Sequence, residues 1–163
     1  MAILLPVPRA PSSLQTELRQ SRPFASPEAE AAVALLRTAD VVRRRVAQVI
    51  EPVGVTLQQY NVLRILRGAG PEGLPTLEIG ARLIEQTPGT TRLVDCLERQ
   101  GMVARERERE DRRVVRCRIT PVGLRLLERL DQPLREAEGS AVGGLSPARL
   151  RTLIRLLGLV RAG

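Results

Sequence analysis

Aromatic residues are almost absent from this sequence: one Phe, one Tyr and no Trp in 163 residues. A core with so few rings must be built from Leu, Val, Ile and Ala, which suits packed helices. Histidine is missing altogether, which removes the commonest metal ligand and the commonest general base. The two cysteines, Cys96 and Cys117, form no CxxC pair. A structural zinc site normally needs four Cys or His ligands, so neither a metal nor another cofactor is expected. Cysteines this sparse fit a reducing cytoplasm. Without His, a Gly-rich phosphate loop or a nucleophile–base pair at workable spacing, the chain is not expected to be an enzyme. No apolar run approaches the roughly 18 residues that span a bilayer. The start, Met1-Ala2-Ile3-Leu4-Leu5-Pro6, lacks a basic segment and breaks at Pro6, unlike a secretory signal. The expectation is a soluble cytoplasmic protein with no membrane partner.

Lysine is absent too, so all 26 basic residues are Arg, set against 18 acidic ones for a net charge of +8. Arg suits forked contacts to phosphate or guanine, although a codon preference explains the missing Lys equally well. The excess favours a polyanionic partner without naming it. From Thr87 to Thr120 there are nine Arg against six acidic residues, a net of +3, so the charge is spread over the chain.

Four Ser/Thr-Pro pairs punctuate the sequence: Ser26-Pro27, Thr87-Pro88, Thr120-Pro121 and Ser146-Pro147. Each offers a hydroxyl N-cap followed by a proline at the first helical position, where its missing N–H costs nothing. Residues 1–25 read as an N-terminal arm, partly disordered, with one helical turn around Leu14 and Leu18. A long helix is predicted over 26–51, with Leu35, Ala39, Val42, Val46 and Val49 forming a coiled-coil-like seam. A second helix starts at Thr56 with the capping-box pair Thr56 and Gln59. It turns Leu57, Tyr60, Leu63 and Leu66 inward and stops at Gly68. A Gly/Pro-rich link leads to a third helix, 76–84, and a fourth over 87–100 that stops at Gly101.

The period then changes from 3.6 to 2. Residues 102–107 read as one strand, 115–119 as a second, and 108–111 as the hairpin tip. Helices resume over 121–138, with Leu124, Leu127, Leu130 and Leu134 on one side, and from Ser146 to the end, with Leu150, Leu153, Ile154, Leu157 and Val160. A break is predicted over 139–145. The fold class is mainly α with a small β-hairpin: a winged helix-turn-helix over 55–120, flanked by N- and C-terminal helices at 26–51 and 121–163. Those flanking helices carry apolar stripes larger than the small central unit can cover, which predicts dimerisation. Residues 26–163 are then one domain.

In the fourth helix, Leu93, Val94 and Leu97 fall on the buried side, leaving Thr87, Gly89, Thr91, Arg92 and Asp95 outward. A helix of this length fits the major groove of DNA, and its small N-terminal residues allow close approach. Arg92 is the long cation best placed to reach a base or the backbone; the bland reading is a solvated surface arginine. The run Arg105-Glu106-Arg107-Glu108-Arg109-Glu110-Asp111-Arg112-Arg113 alternates in sign, which puts Arg105, Arg107 and Arg109 on one face. A solvated, ion-paired hairpin would look the same, but arginine at a wing tip is what a narrow minor groove attracts.

Three stretches in this order resemble the MarR family of bacterial regulators. They are Gln58-Gln59-Tyr60-Asn61-Val62-Leu63; Thr91-Arg92-Leu93-Val94-Asp95 with Leu97-Glu98-Arg99-Gln100-Gly101; and Asp111-Arg112-Arg113 followed by Ile119-Thr120. The resemblance implies a homodimer whose N- and C-terminal helices interlock, reading double-stranded DNA at a pseudo-palindromic operator. It implies that Asp111 pairs with a wing arginine such as Arg113, while Arg109 enters the minor groove. The expected DNA-contacting set is Thr87, Gly89, Thr90, Thr91, Arg92 and Arg99 from the helix, and Arg105, Arg107, Arg109, Asp111 and Arg113 from the wing. The family's usual logic is repression released by a small-molecule effector, often phenolic, against which the scarcity of aromatics counts. The alternatives are a non-specific architectural DNA-binding protein, a protein-interaction module, and a thiol-based redox-sensing regulator using Cys96 or Cys117.

Overall fold

The computed structural model describes residues 13–85, 89–107 and 114–163. Two compact units divide the chain, Met1–Arg43 and Arg44–Gly163. The elements run α1 (Ser13–Glu17), α2 (Pro27–Ile50), a 3-10 turn (Glu51–Val53), α3 (Leu57–Ala69), β1 (Leu74–Pro75), α4 (Thr76–Arg82), α5 (Thr90–Arg99), β2 (Val103–Arg107), β3 (Val115–Ile119), α6 (Pro121–Val142) and α7 (Pro147–Ala162). In the first unit, Arg37 of α2 donates to Glu17 of α1 at 2.8 Å.

Three of the four Ser/Thr-Pro pairs start helices as expected. The Ser26, Thr120 and Ser146 hydroxyls accept from the backbone N–H of Ala29, Gly123 and Arg149. Each satisfies a donor that the first helical turn leaves orphaned. Thr87-Pro88 lies outside the described residues, and α5 begins at Thr90 with Gly89 as its N-cap, later than expected. The capping box of α3 is complete: Thr56 Oγ1 accepts from Gln59 N–H at 3.2 Å, and Gln59 Oε1 accepts from Thr56 N–H at 2.8 Å. Thr56→Ala removes half of this exchange and is expected to cost about 1 kcal/mol, read as a lower midpoint in urea; an unchanged midpoint would contradict it.

α3 is the hub of the second unit, touching α4, α5, α6 and β3. Leu63 and Leu66 are sealed and Tyr60 is buried, as expected, whereas Leu57 is only half-buried. They meet Val94 and Leu97 of α5, Val103 of β2, Cys117 of β3 and Leu127, Leu130 and Leu134 of α6 in one apolar core. Arg67 of α3 clasps Asp131 of α6 through three N–H···O contacts of 2.9–3.0 Å.

Three expectations need correction. The link before Thr76 contributes a strand: Leu74 and Pro75 pair antiparallel with Cys117 and Arg116, so the hairpin is part of a three-stranded sheet ordered β1-β3-β2. Helix α3 passes through Gly68 to Ala69, and Gly70 at φ +74° ends it instead. Helix α6 does not break at 139; it runs to Val142. One glycine inside a helix costs only about 1 kcal/mol, and the Ser140 carbonyl accepts from Arg45 at 2.8 Å.

The seam of α2 stays half-open, with Leu35, Val42, Val46 and Val49 half-buried and Ala39 exposed; the sealed residue is Ile50. In α7, Ile154, Leu156, Leu159 and Val160 are 48–67 % exposed. Among the described residues, no helix is long and apolar enough to cross a membrane.

Candidate nucleic-acid interface

Helix α5 is built to show one face and hide the other. Val94 and Leu97 are fully buried and Leu93 is half-buried, while Thr91, Arg92 and Arg99 are exposed. Arg92, Asp95 and Arg99 are spaced i, i+3 and i+7, which stacks them along the outer face. The helix ends where the sequence says it should. Gly101 N–H reaches the Glu98 carbonyl at 2.8 Å and Met102 N–H the Leu97 carbonyl at 2.9 Å, the paired bonds of a Schellman cap. Thr120 locks this end to the wing: its hydroxyl donates to the Gly101 carbonyl at 2.7 Å and its N–H to the Met102 carbonyl at 3.0 Å.

The start of α5 is fixed by a close crossing with α4. A methyl group added at Gly80 would lie 2.9 Å from Thr90 Oγ1, so α4 and α5 approach at a helix–turn–helix corner that only a small residue allows. Thr90 is half-buried there; Gly89 precedes it with φ +118°.

Strands β2 and β3 pair from Val103↔Ile119 to Arg107↔Val115. Alternation places Arg105 opposite the buried Cys117, so its side chain leaves the sheet on the side of α5. Its guanidinium meets Asp95 Oδ1 at 2.6 Å and Glu98 Oε2 at 2.5 and 2.8 Å. The hydrogen bond from Arg105 holds the Glu98 carboxyl below its ordinary range and raises the guanidinium further. Arg118 bonds Glu106 at 2.6 Å and the Pro71 carbonyl at 3.0 Å, and Arg116 reaches the Gly73 carbonyl at 3.4 Å. Among the described residues, Arg92, Arg99 and Arg107 enter no ion pair.

Cys117 is sealed in the core, and burial pushes its thiol up, opposed by a Thr76 hydroxyl 3.5 Å away. A protonated, inaccessible thiol is a poor nucleophile. Alkylation of the folded protein at neutral pH is expected to spare Cys117, read by peptide mass spectrometry; its modification before unfolding would contradict this. Among the described residues, no three Asp, Glu or Cys side chains converge on a point that could hold a metal.

The sequence profile of the MarR family matches residues 55–115, from just before α3 to the start of β3. A crystal structure of a MarR transcription factor from Planctomyces limnophilus superposes with a TM-score of 0.65 at 40% identity, covering 83% of this chain and 98% of that one. The chain belongs to the MarR family. A curated relative, the HTH-type transcriptional repressor IacR of Pseudomonas putida, is 29% identical over 113 residues, 69% of this chain and 66% of its own length. The structure of Bordetella bronchiseptica BpsR, solved to explain regulation of its DNA binding by 6-hydroxynicotinic acid, is 24% identical with a TM-score of 0.72, covering 81% of this chain and 93% of that one.

Set on the MarR fold, the expected contact residues fall into three groups. Thr91, Arg92 and Arg99 on α5 and Arg107 on β2 are exposed, with Gly89 and Thr90 at the helix start. Arg105 is committed to α5. Thr87, Arg109, Asp111 and Arg113 lie outside the described residues. Sequence reasoning left Asp95 pointing outward alone and missed its partner, ten residues away across a turn. Alternation alone carried no signal for this pairing, because it sets Arg105 and Arg107 on the same face of β2 and only the packing of α5 separates them.

Proposed function

We propose that this MarR-family regulator is a sequence-specific DNA-binding repressor that works in the cytoplasm as a homodimer on a pseudo-palindromic operator. The observation that carries the reading is the outer face of α5, where Arg92 and Arg99 stand exposed on a helix whose other face is sealed into the core. Such a helix fits the ~12 Å major groove, and an arginine fork suits guanine or phosphate. Arg107 on the adjoining strand extends the basic surface toward the wing, with Arg109 at its tip the candidate for the minor groove and Asp111–Arg113 the candidate brace.

The dimer is supported by apolar surface that one chain leaves uncovered, chiefly Ile154, Leu156, Leu159 and Val160 of α7. Helices with open stripes find partners, and a twofold dimer is the commonest solution. Repression follows the naming of IacR, and release by a small molecule follows the regulation of BpsR; both are carried to this chain by likeness. Poverty in aromatic residues weighs against an effector held by ring stacking.

Light scattering together with fluorescence anisotropy tests the reading. A solution mass of twice the chain is expected, with one dimer bound per duplex and a preferred site favoured over random duplex by ~10³-fold or more. A monomer, or equal affinity for all duplexes, would defeat it, and the latter would favour an architectural role.

A further inference from the structure

We propose that Arg105 is a positioning residue whose task is to occupy Asp95, so that Arg92 and Arg99 remain available to DNA. The inference rests on the DNA-reading role proposed above and gives one wing arginine a different part in it.

Asp95 lies on the outer face of α5, three residues after Arg92 and four before Arg99. Oppositely charged side chains at those spacings are neighbours on a helix surface and pair readily. Left alone, Asp95 would draw one or both arginines down onto the helix and place a negative charge among the groups that meet phosphate. Arg92 and Arg99 stay out of its reach because Arg105 extends across from β2 and takes the carboxylate at 2.6 Å, offsetting part of its charge.

The fork shape matters. One guanidinium edge faces Asp95, while Nε and Nη2 both face Glu98 at 2.8 and 2.5 Å. Glu98 anchors Arg105 from one side so that its remaining edge is aimed at Asp95. Planar, five-donor geometry gives each carboxylate its own edge of the fork, an arrangement that a compact ammonium does not reproduce. The Arg105 side chain is only 28 % exposed, and its strand partner is the sealed Cys117. The same contact joins wing to helix, adding a polar link to the turn through Gly101 and the core packing of Leu97 with Val103.

The test is a double-mutant cycle on a fluorescent duplex carrying the site that the wild-type protein enriches from random DNA. Arg105→Gln is expected to weaken binding at least tenfold, and Arg105→Lys severalfold. Asp95→Asn alone should change affinity by less than about threefold, because Arg105 already holds that carboxylate away from Arg92 and Arg99. In the Arg105→Gln background the same Asp95→Asn change should restore about tenfold, a coupling of the size contacting charges produce. A direct phosphate contact by Arg105 predicts the opposite pattern: Asp95→Asn gives the same gain in both backgrounds, and Lys substitutes without loss. Either result overturns the proposal.

A second readout needs no DNA. In spectra of the 15N-labelled arginine side chains, Arg105→Gln should slow hydrogen exchange at Arg92 or Arg99 Nε as Asp95 captures it, and Asp95→Asn in the same chain should reverse this. Failure of the wild-type protein to bind any duplex would defeat the DNA-reading role, while the arginine spectra would still decide the clamp. Unchanged Arg92 and Arg99 signals in the Arg105→Gln variant would end the proposal.

Discussion

Replacing Gly73 by Ala is expected to cost on the order of 3–4 kcal/mol, combining left-handed backbone strain with a collision against main chain. Gly73 sits at φ +63°, and a methyl group there would lie 2.1 Å from the Cys117 carbonyl oxygen and 2.7 Å from Arg118 Cγ. Neither the glycine nor the carbonyl can retreat freely. Leu74 and Pro75 pair with Cys117 and Arg116, and Arg116 holds the Gly73 carbonyl. β1 must therefore lift off β3, exposing Leu74 and loosening the sheet under the wing. For a chain of this length that is a fall in Tm of roughly 10 °C, followed by circular dichroism at 222 nm. Gly54→Ala is the control. Its φ is +81° but nothing lies within 4 Å of the added methyl, so only the strain of about 1–2 kcal/mol applies. Equal losses from the two substitutions would contradict the close approach.

The second large effect is on binding. Arg92→Ala should leave Tm unchanged, because the side chain is exposed and enters no ion pair among the described residues. Affinity for the preferred duplex should nevertheless fall by about 10²-fold or more. One forked contact contributes roughly 1–3 kcal/mol of discrimination, and a homodimer loses two of them. Discrimination should fall with affinity if Arg92 reads a base. If it holds phosphate, binding weakens uniformly across sequences and the salt slope drops by about 0.9 for each phosphate no longer neutralised. Wild-type affinity in an anisotropy titration of the variant would remove Arg92 from the interface.

Much of this fold was legible because its boundaries are chemical. A hydroxyl before a proline, or Thr56 three residues before Gln59, satisfies orphan N–H groups whatever the rest of the chain does, and the described caps formed where the residues stood. The strands at 103–107 and 115–119 were readable because alternation is strict where one face meets a core. Strand β1 was not, since two residues are too few to alternate and only partners from β3 define them. The end of α6 was misjudged because Gly139 looks like a stop, yet tertiary contacts such as Arg45 to the Ser140 carbonyl override a cost of about 1 kcal/mol. On the candidate interface, helical period separated Arg92 and Arg99 from Leu93, Val94 and Leu97. What period could not give was the fate of Arg105. Its charge reads like that of Arg107 along the strand, and only the position of α5 beside β2 sets the two apart. The scarcity of rings proved informative in the same physical way: Leu, Val and Ile fill the core beside the single Tyr60, whose phenol is pushed up by burial.

Selection of bound duplexes from a random DNA pool shows whether this chain reads DNA sequence as a symmetric pair. Enrichment of one motif is expected, with twofold pseudo-symmetry and half-sites about 10–10.5 base pairs apart, or a multiple of that, matching a symmetric pair of α5 helices in successive major grooves. Recovery of an asymmetric motif would contradict the homodimer. A pool that emerges without enrichment would contradict sequence-specific DNA reading itself.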